Sequence, residues 1–186
     1  MKFVFKVIVF FIMVLAVGCA STSAPEITSE QIKELDAIVN SKSFEFKARW
    51  ARPLVTSSLN SVANAGLLPQ GSTINNIDLV GNNNYLRMNG DSVVAYFPYF
   101  GERQLGGTAY LGSNNAIEFE GVPGNMKINK NEKGYMVAFD IKHKTETFQV
   151  NAQLFPNKKS NININSTHRF PISYIGNFEK TEEQLH

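Results

Sequence analysis

At 186 residues, with 43% hydrophobic, 11% aromatic and 18% charged side chains, the chain has room for one domain with a real core, not for two comfortable ones. Collagen, coiled coil and bulk disorder are excluded. The one cysteine rules out an internal disulfide and a cysteine-based zinc cluster.

The N-terminus reads as an address. Lys2 and Lys6 form a positive n-region, and Val7 to Val17 is an unbroken apolar run of 11 residues. That is short of the roughly 20 needed to cross a bilayer but right for a signal-peptide core. The run ends at Ala16-Val17-Gly18-Cys19, which resembles a bacterial lipobox. Gly18 would precede the cleaved bond and Cys19 would take the diacylglycerol. The position three before the cysteine holds Ala16 where leucine is usual. The alternatives are a plain secretory signal with Cys19 incidental, or a retained anchor that its length disfavours. Loss of Lys2 and Lys6 leaves 16 basic residues against 16 acidic ones. The mature chain is then formally neutral and has no basic footprint for nucleic acid. The reading divides the chain into signal peptide 1–18, lipid-anchored tether 19–27, one β-rich domain 28–180 and tail 181–186.

The domain opens with a helix signature. Thr28 as N-cap and Gln31 three residues later form a capping box, and Ile27 with Ile32 suggests a hydrophobic staple. Ile32, Leu35, Ile38 and Val39 follow at helical spacing, predicting an amphipathic helix over 29–41. From residue 43 the periodicity becomes that of strands. Residues 44–50 alternate strictly, and further strands are expected at 74–80, 85–88, 92–97, 109–111, 116–120, 126–129, 135–143, 147–155, 161–165 and 170–178. Asn89-Gly90-Asp91 signals a hairpin of type I′. Residues 53–72 fit either a short helix or a strand with a loop. The expected fold is mostly β: nine or ten strands in an antiparallel sheet closing into a small barrel or sandwich, with one N-terminal helix.

Two segments, Asp91 to Gly101 with its Tyr96-Phe97-Pro98-Tyr99-Phe100-Gly101 run, and Arg169-Phe170-Pro171-Ile172-Ser173-Tyr174-Ile175-Gly176, carry a resemblance. With the lipobox and Phe46-x-Ala48 they resemble the exported, Bacteroidota-type lipoprotein family known as domain of unknown function 4251, over about residues 30–178. In that family an Arg commonly follows the Phe-Gly pair. Here Glu102-Arg103-Gln104 stands instead, so no role passes to Arg103. The resemblance implies fold and address and transfers no activity. Together with the absence of an acidic run after Cys19, it implies an outer-membrane lipoprotein facing the periplasm.

Catalytic signatures are sparse. There is no Gly-x-Ser-x-Gly elbow and no P-loop. His143, His168 and His186 lie far apart in sequence without metal-ligand spacing, so neither a metal nor a cofactor is expected. Glu118 and Glu120 share a strand face and could pair for glycoside hydrolysis, or simply line a solvated face. Tyr96, Tyr99 and Phe100, beside the strand-breaking Pro98, are the candidate binding residues. They form either an aromatic ligand mouth or a structural corner. Phe97 and Phe100 are expected to face the core and Tyr99 to contact a ligand or partner. Trp50 is expected in the core or as a barrel plug. The function expected is non-enzymatic binding of a small apolar ligand or an envelope partner. An envelope hydrolase acting on glycan or peptidoglycan, and a purely structural subunit, are the rivals. Cys19→Ala should move the protein from the membrane to the soluble fraction. Retention on membranes washed in high salt would refute the anchor.

Overall fold

The computed structural model describes residues 27–104 and 116–181. Gly18, Cys19, the tether up to residue 26, the expected strand at 109–111, His186 and nearly all of the tail lie outside the described residues.

Helix α1 (Ser29–Ser41) forms as its signals require. The Gln31 amide N–H donates to Thr28 Oγ1 at 3.2 Å, and the Thr28 N–H donates to Gln31 Oε1 at 3.0 Å. Leu35, Ile38 and Val39 are buried, but Ile27 and Ile32 stay exposed, so the stripe is one turn shorter than expected. Lys158, Lys130 and Asp91, on or beside three different turns, form ion pairs with Glu34 and Asp36 of the helix and with its cap residue Lys42. Such exposed pairs contribute at most about 1 kcal/mol each; the buried face does the holding.

Ten strands follow: β1 (Ser43–Pro53), β2 (Ile77–Asp78), β3 (Tyr85–Asn89), β4 (Ser92–Phe97), β5 (Ile117–Gly121), β6 (Gly124–Asn131), β7 (Gly134–His143), β8 (Glu146–Leu154), β9 (Lys159–Ser166) and β10 (Ile172–Lys180). They form one antiparallel sheet in the order β5-β4-β3-β1-β10-β9-β8-β7-β6, with β2 paired to β1, curled into a half-barrel. The expected β fold is therefore present. The expected strand at 74–80 shrinks to β2, because Thr73 and Asn76 bridge each other in a turn. The ambiguous stretch contains a short helix, α2 (Ser57–Asn64), capped by Thr56. The β3–β4 loop is Gly90-Asp91, since Asn89 pairs with Ser92. Gly90 at φ 60° is the only one of the two loop residues with positive φ. That fits type II′ rather than the expected I′.

Period-2 alternation fills the concave side. Phe44 and Phe46, Leu86 and Met88, Phe97, Phe119, Val137 and Phe139, Phe148 and Val150, Ile162 and Ile164, Tyr174 and Phe178 all point inward and are buried. In β1 the alternation breaks. Ala48 pairs with Gly176 and Trp50 with Ile175, so Arg49 is an extra residue. This β-bulge reverses the facing of everything after it. Ala51 and Pro53 turn inward, and Trp50 emerges half-exposed on the outer face. Trp50 is thus neither core nor barrel plug, contrary to the strict alternation of 44–50. Arg49 lies over its ring, 5.3 Å from the centroid.

The bulge needs two accommodations. It leaves the Ala48 backbone outside the ladder with β3, whose pairing stops at Phe46. The buried Asn84 carboxamide replaces the missing strand: the Ala48 N–H donates to Asn84 Oδ1 at 2.7 Å, and Asn84 Nδ2 donates to the Ala48 carbonyl at 3.2 Å. Opposite the bulge, a Cβ on Gly176 would lie 1.9 Å from the Lys47 carbonyl oxygen and 2.7 Å from the Ala48 Cα. Both neighbours are backbone and cannot swing away. Gly176→Ala should cost about 3 kcal/mol or more, read as a lower urea midpoint. An unchanged midpoint would show that the strands can part without loss.

Candidate functional site

Two of the segments singled out in sequence, 91–101 and 169–176, meet at one end of the half-barrel, where they hold each other. The Phe97 ring stacks on Tyr174 at 4.4 Å and 20°. The Tyr174 hydroxyl donates to the Pro98 carbonyl at 2.8 Å. In return, the Tyr99 hydroxyl donates to the Phe170 carbonyl at 3.0 Å, with the Glu102 carbonyl at 2.9 Å sharing the contact. Backbone bonds from Gln104 to His168 and from Phe170 to Glu102 complete the clasp. Gly101 is required for it: a Cβ there would sit 2.4 Å from the Tyr99 hydroxyl oxygen.

Tyr99 is consequently 5% exposed, and the expectation that it faces outward is corrected. Its ring continues the core and its hydroxyl is engaged by the Phe170 and Glu102 carbonyls. Burial pushes its pKa up to about 12, so near neutral pH it is a neutral donor and not a base. Phe97 is fully buried and Phe100 packs against the core, as expected. Tyr96 lies half-buried on the outer side of β4, between Tyr85 and Glu118. The three candidate binding residues therefore do not converge on one surface. Glu118 and Glu120 are both exposed on the outer side of β5.

The strands expected at 135–143 and 147–155 leave Glu146 in the turn between them. It is instead the first residue of β8, buried and facing inward. Arg169 Nε donates to its Oε1 at 2.8 Å and Arg169 Nη2 to its Oε2 at 3.2 Å. Ser166 donates to it as well, and Arg103 Nη2 stands 3.8 Å from Oε2. Arg169 also lies 5.1 Å from the Tyr99 ring centroid. Burial raises the Glu146 pKa, but hydrogen bonds from Arg169 and Ser166 and the charges of Arg169 and Arg103 outweigh it. The carboxyl is held below its ordinary 4.5. It is a neutralised carboxylate with both oxygens engaged, not a poised acid.

The accessible candidate lies on the outer face, where the bulge delivers Trp50. An open cleft of about 260 Å³ is lined by Trp50, Arg52, Gly71, Thr73 and Asn76. Arg52 Nε donates to Asn76 Oδ1 at 2.7 Å, which fixes one wall. The cleft offers a half-exposed indole, a guanidinium and hydroxyl and amide groups, and so can hold a polar ligand by stacking and hydrogen bonds. A second open groove, about 430 Å³, lies at the seam where β5 approaches β7, lined by Glu120, Gly121, Asp140 and Lys142 among others.

A family model described as a domain of unknown function, DUF4251, matches residues 26–178. A solved structure of a DUF4251 family protein from Bacteroides eggerthii is similar, with a TM-score of 0.54 and 13% identity over 82% of this chain and 89% of that one. At that identity the likeness speaks for the fold. A comparison with curated proteins finds no match.

With its folded-state pKa below the unfolded value, Glu146 contributes stability that is complete above about pH 4.5 and drains as pH falls through the folded value. Glu146→Gln should cost about 3–5 kcal/mol at pH 7 by breaking the buried ion pair with Arg169. It should also flatten the acid side of the stability profile. Urea titrations at pH 7 and pH 3 check both, and an acid slope as steep as wild type would refute the role given to Glu146.

Proposed function

The chain belongs to the DUF4251 family, and from that premise we propose that it is a lipid-anchored, periplasm-facing protein that binds an envelope component without chemical turnover. The observation that carries this reading is the Trp50–Arg52 cleft. There the chain's one tryptophan is turned onto the outer face beside a guanidinium and an amide. Two further features favour binding over hydrolysis. The buried carboxylate of the inner end is neutralised by Arg169, and the buried phenol beside it is engaged by carbonyls. Aromatic side chains also fill the concave side, which favours an envelope partner over a small apolar ligand held within. The anchor at Cys19 would keep the cleft close to the membrane on its short tether.

Hydrogen exchange tests the reading on the full chain in detergent. Adding solubilised envelope extract should slow exchange in residues 50–53 and 71–77, while the chain releases no soluble fragments from peptidoglycan. Unchanged exchange throughout, or fragment release, would overturn it.

A further inference from the structure

The outer face of β8, β9 and β10 continues from the cleft as a lattice of carboxamides. Gln149, Asn151 and Gln153 on β8 stand opposite Asn165, Asn163 and Asn161 on β9. All six alternate with buried inward residues, so all six face outward. The register joins them to the cleft in two rows. One runs Trp50, Ile175, Asn161, Gln153; the other runs Arg52, Ser173, Asn163, Asn151. Helix α1 buries its apolar stripe in the core and does not cover this face.

The chemistry of the lattice is unusual for a solvated sheet. None of its six positions on β8 and β9 carries a charge, although 18% of the chain is charged. Charges stand at the margins, at Arg52, Asp140 and Lys159. A charged partner would find no counter-charges in the centre. A carboxamide both donates and accepts, as a hydroxyl does, and removing it from water strips no charge. Neighbouring columns stand about 4.8 Å apart and successive outward residues of one strand about 6.8 Å apart, a two-dimensional grid of paired donors and acceptors. The Ser173 hydroxyl already donates to Asn163 Oδ1 at 2.5 Å, which engages that oxygen and not the amide nitrogen. Gln153 is partly engaged with the Tyr135 carbonyl. At one end of the grid stands the half-exposed indole, with the Arg49 guanidinium 5.3 Å from its centroid; its exposed part is suited to the C–H face of a pyranose ring.

We infer that the occupant is an uncharged, polyhydroxylated glycan chain, one sugar stacked at Trp50 in the cleft and the following units laid along the Asn/Gln rows of β10, β9 and β8. This rests on the binding reading above and names its partner. Hydroxyl groups exchange water for amide partners along the rows, and Trp50 supplies the apolar contact that water cannot replace. A neutral polysaccharide meets this description; the glycan strand of peptidoglycan does not, because its lactyl-linked stem peptides carry carboxylates for which the rows offer no counter-charge.

The test is affinity electrophoresis of the full chain in detergent through gels carrying a neutral glucan or a mannan, with cosedimentation on isolated peptidoglycan sacculi as the second arm. Binding in the gels is the expected result, and binding to sacculi alone overturns the inference. In the gels, Trp50→Ala and Asn163→Asp should each weaken binding at least tenfold with little change in melting temperature. Glu118→Gln, on the outer side of β5, should leave it intact. No interaction in either arm, or an interaction that both variants preserve, overturns the inference. If exchange at residues 50–53 and 71–77 still slows with envelope extract while neither arm responds, the glycan is wrong and the binding reading survives.

Discussion

One extra residue in β1 decides which side of the sheet Trp50 occupies. Strand β1 joins the two halves of the sheet, with β3 to β5 on one flank and β10 to β6 on the other. A bulge there acts on both flanks at once. It requires a surrogate partner for the stranded Ala48 backbone, which Asn84 provides, and a residue without a side chain on β10, which is Gly176. An unsatisfied buried backbone group costs about 1–3 kcal/mol, so the bulge would be untenable without Asn84. With both in place, an indole that simple alternation would bury becomes one wall of a cleft.

The other end of the half-barrel shows the opposite use of chemistry-bearing residues. Tyr99 and Tyr174 each bond a carbonyl in the other's segment, and Arg169 serves Glu146 and the Tyr99 ring together. Separating either segment from the other would strand buried polar groups on both. A buried ion pair is poor evidence of net stability, because desolvation offsets its attraction. Its consequence here is geometric: the turn before β10 has one arrangement that leaves no charge alone. The residues that look most functional in sequence are thereby committed to closing the fold.

What was legible in the sequence follows the range of the forces involved. The capping box of α1 acts over three residues, and residues 29–41 form the helix it predicts. The inward facing of Phe97 in β4 likewise read correctly, because facing is a local property of an unbroken strand. Trp50 was misplaced because a bulge is invisible to alternation; its causes, Asn84 and Gly176, lie 34 and 126 residues further along the chain. Tyr99 was misplaced for the same reason, its acceptor being Phe170, 71 residues away. Glu146 looked like a turn residue because Arg169, which draws it inward, is distant in sequence. The carboxamide rows were present as letters, most plainly in Asn161-Ile162-Asn163-Ile164-Asn165, but only the pairing of β9 with β8 and β10 makes them a surface.

That pairing also sets how rigid the outer surface is. Register in a sheet is fixed wherever one face is buried, because a slip of one residue would turn the whole inward set to solvent. On β8, β9 and β10 the inward set is Phe148, Val150, Ala152, Ile162, Ile164, Ile172, Tyr174 and Phe178, all buried. A slip there would expose several large side chains at about 1.5–3 kcal/mol each. The outward amides are therefore held on their grid by residues that never meet solvent. Binding then has only side-chain rotamers left to order, about 0.5–1.5 kcal/mol for each one immobilised. Loops of the same composition would have backbone freedom to lose as well. A face of neutral amides is a weak binder group by group, and the core beneath it is what lets many weak contacts act together.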